Sequence, residues 1–545
     1  MRERTRAMAA AAFTAIALLA TACGGGGDDP GTAEGTTGQA GGEITIRGCT
    51  PENPLIPGNT TEVCGGNVID AMAAKLVHYD PKTAAPQNDI AESIESADNK
   101  TFTVKLKKGY KFHDGTEVKS KNFIDAWNWV SYGPNGQSNS YFFAPVQGYA
   151  DLQCPDDACK SKPKSTKMTG LKAVDDYTFT ITTTEPVSNL PLRLGYTAFA
   201  PLPDSFFADP KAFEAKPIGA GPFQLESKDT TKMVLTKFAD YAGEFKPNVD
   251  KVTFQIYADD AASYADLVSG NLDFSAYIPT DQLVGEAYKQ DLQDRTTIKE
   301  GGRFTYVTFS PNDPQLKDNV ALRKALSRAI DRDLIAKQIF NGTVVPATGW
   351  VSPAVDGYKP DVCGDSCKFD KAAAKQAYDA AGGYKGTLTM TYNADTAGNK
   401  EYSEAICNSI KNAVGVPCVA TPVVDFATYN KKLDDNTLKG LLRTGWQMDY
   451  PSIENFLTPI YAKGADSNYS HYDNPEFTKL IAQAAAAKTN DEANALYQQA
   501  EALLARDLPT APLWYPSTVA GWSDKVTDVT VTAFGTLDLV GIKIK

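Results

Sequence analysis

Histidine is scarce in this chain: only His78, His113 and His471 occur in 545 residues. Each stands beside tyrosine or aspartate in strand-like or loop-like text, and reads as a surface or hydrogen-bonded side chain. The Gly-x-Ser-x-Gly elbow, the His-Glu-x-x-His helix and the phosphate-cradling Gly-x4-Gly-Lys-Ser/Thr loop are all missing. Their absence weighs against a hydrolase, a zinc protease and a nucleotide-dependent motor, and no cofactor or metal site is expected. Carboxylate pairs for acid–base work leave no trace in spacing, because partners in space are distant in sequence. Basic charge is also short: 54 Lys and Arg stand against 66 Asp and Glu, a net charge of −12. That balance excludes a nucleic-acid footprint, which needs clustered cations. Beyond the first two dozen residues no apolar stretch is long enough to cross a membrane.

The start of the chain carries an address. Arg2, Arg4 and Arg6 precede an apolar run from Ala7 to Ala22, which closes on small residues before Cys23. A charged start, an apolar middle and a small-residue break describe a secretory signal peptide, residues 1–22. The run into Cys23 resembles a bacterial lipobox, although Leu19 stands four residues before the cysteine rather than three. Lipidation of Cys23 is the expectation, placing the protein outside the cell and tethered to the outer face of its membrane. Residues 23–42 hold GGGGDDPGTAEGTTGQAGG and nothing able to join a core, so they read as a flexible tether. Without Arg2, Glu3, Arg4 and Arg6 the mature charge is about −14.

Removing Cys23 from nine cysteines leaves Cys49, Cys64, Cys154, Cys159, Cys363, Cys367, Cys407 and Cys418. These fall into four close pairs. Zinc clusters favour Cys-x2-Cys repeats or histidines, and neither is present. Disulfides in an oxidising exterior fit better, and neighbour pairing is the economical choice among 105 possibilities.

About 520 residues exceed what one core supports, so two or three domains are expected. Apolar alternation marks strands at 44 and 46, 102–106, 177–181, 252–256 and 388–392. Helical spacing of Leu322, Leu326, Ile330 and Leu334 spans 318–340, with Asp331 able to cap a second helix and split it. Thr489-Asn-Asp-Glu492 is a capping-box pattern ahead of Leu496, Tyr497, Ala500, Leu503 and Leu504. Strands interspersed with helices predict a mixed α/β protein.

Several ordered segments resemble the oligopeptide- and dipeptide-binding proteins of ABC importers, the family 5 extracellular solute-binding proteins. They are Leu76-Val-His-Tyr-Asp80, Ile90-Ala-Glu-Ser93, Thr101–Gly109, Lys111–Val118, Ile218-Gly-Ala-Gly-Pro-Phe223, Val320–Arg332 and Arg443-Thr-Gly-Trp-Gln-Met-Asp-Tyr-Pro451. Their order from Leu76 to Pro451 carries the resemblance. It implies a periplasmic-binding-protein-like fold of type II (class C): two lobes on a hinge plus an extra domain. Lobe I is expected from 43–75, 186–303 and 517–545, the extra domain from 76–185, and lobe II from 304–516. Crossing segments fall near 303 and 516. The implied activity is capture of oligopeptides or dipeptides between the lobes and delivery to a permease with its ATPase, by a monomer. Members of this class also bind metal complexes, haem, siderophores or oligosaccharides, and an exported peptidase sharing the cleft is the competing class.

By resemblance, Asp449 takes the peptide's amino end, since a charge-assisted hydrogen bond outdoes a neutral one. The plainer alternative is a loop aspartate capping the turn before Tyr450-Pro451-Ser452. Gly445, Trp446 and Gln447 offer a strand edge to the peptide backbone, with Trp446 either walling the cleft or filling the core. Arg443 balances Asp449, meets a ligand carboxylate or forms a structural ion pair. Trp514 and Tyr515 complete the expected set. Two stretches depart from oligopeptide binders that catch the carboxyl end with a basic residue: Asn393–Lys400 and Leu433-Asp-Asp435 lack the histidine or arginine at the matching position, although Lys400 is near.

Overall fold

The computed structural model describes residues 41–545, apart from 157, 158, 258, 395, 397 and 466. Cys23 and the signal and tether readings lie outside the described residues.

One long sheet organises the molecule. Among the described residues it holds twelve strands. Its path runs Cys418–Val423, Leu388–Asn393, Leu441–Gln447, Arg303–Phe309, Thr510–Trp522, Phe274–Ser275, Glu43–Gly48, Lys251–Ile256, Lys232–Lys237 and Phe223–Lys228. Thr296–Glu300 and Val344–Pro346 also pair with Thr510–Trp522. Three of these strands, Glu43–Gly48, Lys251–Ile256 and Leu388–Asn393, sit where alternation predicts strands or at their immediate margins. Glu43–Gly48 shows why: Ile44 and Ile46 are buried beside Val252 and Phe254 of its parallel neighbour, while the residues between face outward.

Thr510–Trp522 joins the two halves of the sheet. Its first half pairs with Arg303–Phe309, Thr308 opposite Thr510 and Val307 opposite Ala511. Its second half pairs with Thr296–Glu300 on one edge and with Phe274–Ser275 on the other. A separate antiparallel sheet orders Ala91–Glu95, Thr101–Leu106, Thr178–Thr182 and Leu171–Asp175. It packs through Phe102, Val104 and Phe179 on the helix Ser120–Ser131, whose Trp127 donates its Nε1 proton to the Phe199 carbonyl at 3.1 Å.

The periodic stretch at 318–340 is two helices, as the alternative capping by Asp331 allows. Asn319 accepts the Leu322 amide and Asp331 the Leu334 amide, each at 3.0 Å, capping Val320–Arg328 and Arg332–Phe340. Thr489 accepts the Glu492 amide at 3.2 Å and opens Asn490–Asp507. Two buried arginines weld this region. Arg332 has no carboxylate partner among the described residues, and instead donates to the carbonyls of Pro512, Ser327 and Ile330 and to the Ser327 hydroxyl. Arg323 donates in the same way to Leu508, Leu316, Lys317 and Asp507 carbonyls. A fixed fork of donors suits carbonyls that helix ends leave unpaired.

The eight described cysteines pair with their neighbours: Cys49–Cys64, Cys154–Cys159, Cys363–Cys367 and Cys407–Cys418. Cys49–Cys64 ties the end of Glu43–Gly48 to the helix Val63–Met72. No helix among the described residues is long and apolar enough to cross a membrane.

Candidate functional site

The strand Leu441–Gln447 pairs along its whole length with Arg303–Phe309 on one edge. On the other edge it meets Leu388–Asn393 only at Leu441 and Leu442. From Arg443 onward that edge has no strand partner among the described residues. The chain then turns through Met448–Pro451, and Ser452 caps the helix Ile453–Tyr461 by accepting the Glu454 amide at 3.2 Å. Ser452, not Asp449, therefore caps this turn.

Asp449 is held by Asn455 from two sides. The Asp449 amide donates to Asn455 Oδ1 at 2.8 Å, and Asn455 Nδ2 donates to Asp449 Oδ2 at 2.9 Å. Trp446 Nε1 donates to the same Asn455 Oδ1 at 3.2 Å, so one buried amide sets the strand end, the turn and the carboxylate together. Asp449 keeps part of its surface open, and that opening faces a cavity. Tyr196, from a segment some 250 residues earlier, lines the same cavity. Burial pushes the Asp449 carboxyl up to about 7; the Glu454 charge adds to this, while Asn455 and the Tyr196 hydroxyl act to lower it.

Glu454 is itself spoken for. Its Oε2 accepts the Tyr450 hydroxyl at 2.5 Å and faces Arg193 Nη2 at 3.2 Å, both inside the protein. Asn189 joins them, accepting from Arg193 Nε at 3.0 Å. This fastens the Asp449 turn to the segment around Leu190–Arg193. Asp449 has no cation within ion-pair reach among the described residues.

The cavity has a volume of about 260 Å³ and is walled by Tyr79, Tyr196, Tyr241, Phe245 and Phe534 among others. Of the residues expected in the site, Asp449 and Gln447 line it. Gln447 bridges its rim, donating to the Phe534 carbonyl and accepting from Arg303 Nε, each at 3.2 Å. Gly445 is exposed on the unpaired strand edge. Arg443 lies outside the cavity and donates through Nε to the Tyr402 hydroxyl at 2.8 Å, with no carboxylate in ion-pair reach among the described residues. Trp446 is half-buried against the core. Trp514 is buried between Phe340 and Tyr402, and Tyr515 is buried with its hydroxyl donating to the Gly349 carbonyl at 3.0 Å. Neither lines the cavity.

Sequence reasoning missed Tyr196, Asn455, Glu62 and Phe534. Ser452 and Glu454 mark a helix start, but nothing local says that Asn455 turns inward. Of the histidines, His78 stacks on Phe245 at 3.9 Å and lines the cavity, its ring pushed down to about 4 by burial and by Lys75. His113 Nδ1 accepts the Gly219 amide at 3.1 Å while Nε2 donates to the Gly221 carbonyl at 3.2 Å.

A sheet in two halves joined by one shared strand, with a carboxylate-bearing cavity beside the join, defines a solute-binding protein. The model of the bacterial extracellular solute-binding proteins, family 5, matches residues 85–468, and the chain belongs to that family. It is 26% identical over 440 residues to the periplasmic oligopeptide-binding protein OppA of Salmonella typhimurium, covering 79% of each chain. It is 27% identical over 480 residues to the dipeptide-binding protein DppE of Bacillus subtilis, covering 84% of each. The fold is shared with the murein tripeptide binding protein MppA of Escherichia coli, at 22% identity and a TM-score of 0.80 over 93% of this chain and 98% of that one. The family is one of binding proteins rather than enzymes.

Proposed function

We propose that this protein is the substrate-binding lipoprotein of an ABC importer. It captures oligopeptides or dipeptides between two lobes and passes them to a membrane permease. The observation that carries this reading is Asp449: a desolvated carboxylate, held by Asn455, without a cationic partner and open to an aromatic cavity. A buried carboxylate in that state gains most from a ligand that brings an ammonium group. The unpaired edge beyond Leu442 suits main-chain pairing with an extended ligand, which is blind to side chains. Arg443, outside the cavity and free of any carboxylate within the described residues, is the group for the carboxyl end of a ligand that extends from Asp449 along the unpaired strand edge. Relatives named for oligopeptides, dipeptides and a murein tripeptide support the class of ligand.

The lobes are those assigned above, 43–75 with 186–303 and 517–545 against 304–516, and 76–185 is the extra domain. The hinge is the passage through residue 303 and along Thr510–Trp522. Cys23 carries the lipid, and the Gly/Thr-rich tether keeps the carrier near its permease. Calorimetry of the soluble domain against a peptide pool, before and after N-acetylation, tests the anchor. Acetylation abolishes or strongly weakens binding; unchanged affinity removes Asp449 from the role. A Cys23→Ser protein is released from the membrane fraction, and its retention there overturns the anchor.

A further inference from the structure

We propose that the cavity selects ligands bearing a second positive charge close to the amine held by Asp449, that is, peptides whose first or second side chain is lysine- or arginine-like. This rests on the peptide reading above and names the ligands which that site prefers.

Six carboxylates line the cavity, Glu62, Asp70, Asp80, Asp89, Asp449 and Asp538, against two side-chain cations, Arg47 and Lys75. Both cations are already engaged. Lys75 is paired with Asp70, and Arg47 reaches away to Asp260 at 2.6 Å. His78 adds no charge near neutral pH, because burial and Lys75 hold it neutral. Five carboxylates are thus left without an ion-pair partner among the described residues. For Glu62, Asp89, Asp449 and Asp538, burial makes ionisation harder, the mark of carboxyls that have lost water and gained too little in return.

The field is built in rather than induced. Glu62 accepts the Gly65 amide at the start of Val63–Met72, at 3.0 Å. Asp89 accepts the Tyr110 hydroxyl at 2.9 Å, and Asp538 the Val540 amide at 3.0 Å. These bonds fix the carboxylates in place. Glu62 and Asp538 line the same cavity as Asp449, which sets further negative centres around a ligand held there. Aromatic faces at Tyr79, Tyr196, Tyr241, Phe245 and Phe534 give a cationic side chain a wall that attracts it further. A neutral chain of equal length gains the same wall contacts and none of the field; an acidic chain is repelled.

The test is calorimetry of the full soluble protein with X-Ala-Ala and Ala-X-Ala tripeptides, X being lysine, norleucine or glutamate. Lysine binds about tenfold more tightly than its near-isostere norleucine at one of the two positions, and glutamate binds weakest. The lysine advantage shrinks as salt is raised, a readout that needs no variant. Glu62→Gln, and separately Asp538→Asn, narrow the lysine-to-norleucine ratio. Equal binding of lysine and norleucine at both positions overturns the selectivity and leaves the peptide reading standing. If no free-amine tripeptide binds, the peptide reading falls and this inference falls with it.

Discussion

At the scale of single residues, Asp449 makes predictions in two directions. With a ligand present, Asp449→Asn keeps the shape and the Asn455 contact but removes the charge. Affinity for free-amine peptides is expected to fall by about 2–5 kcal/mol, read by calorimetry. Without ligand, the same charge is a burden on the fold. The folded protein holds the Asp449 proton up to about 7, against 3.8 for an ordinary aspartate. The folded state thus binds more protons than the unfolded chain between those values, and stability falls as pH rises through that window. Asp449→Asn lacks this penalty. Its melting temperature relative to the parent rises between pH 4 and pH 8, by the equivalent of up to a few kcal/mol. A flat difference across that range shows that the carboxyl titrates normally. Glu501, buried and also pushed up to about 7, remains in both proteins and cancels in the comparison.

At the scale of elements, much was legible and the reasons are concrete. Alternation found Glu43–Gly48, Thr101–Leu106 and Lys251–Ile256 because each buries one face, and capping residues placed the starts of Arg332–Phe340 and Asn490–Asp507. Pairing between distant strands was not legible, since Ile44 beside Val252 leaves no local mark. The site divided along the same line. Asp449 came through a motif carried on one turn, whereas Tyr196 and Glu62 reach it from far along the chain. Trp514 and Tyr515 stood in a recognisable stretch, but buried aromatic residues look alike whether they wall a cleft or fill a core. Arg332 gives the prediction at this scale. Arg332→Met strands the carbonyls of Pro512, Ser327 and Ile330 inside the protein. A loss of about 3 kcal/mol or more is expected in urea unfolding, with Arg332→Lys recovering little of it. A loss below about 1 kcal/mol means that water or neighbouring groups replace the fork.

At the scale of the whole molecule, ligand and covalent links should both show in stability. A bound peptide at a hundredfold excess over its Kd adds about 2.7 kcal/mol, seen as a rise in melting temperature that disappears on N-acetylation. Cys49–Cys64 closes a loop with a sequence separation of 15, and its removal as a double serine variant is expected to cost about 3 kcal/mol. The strand Thr510–Trp522 has a further consequence, which concerns time rather than binding. Its partners lie at 274–275, 296–300, 303–309 and 344–346, far upstream in the chain. Neither half of the sheet can be completed until this late segment has been made and has returned to them. Such distant pairings are slow to form. On the export proposed above, the chain stays unfinished through most of its synthesis, its sheet still open while it can still be threaded across a membrane.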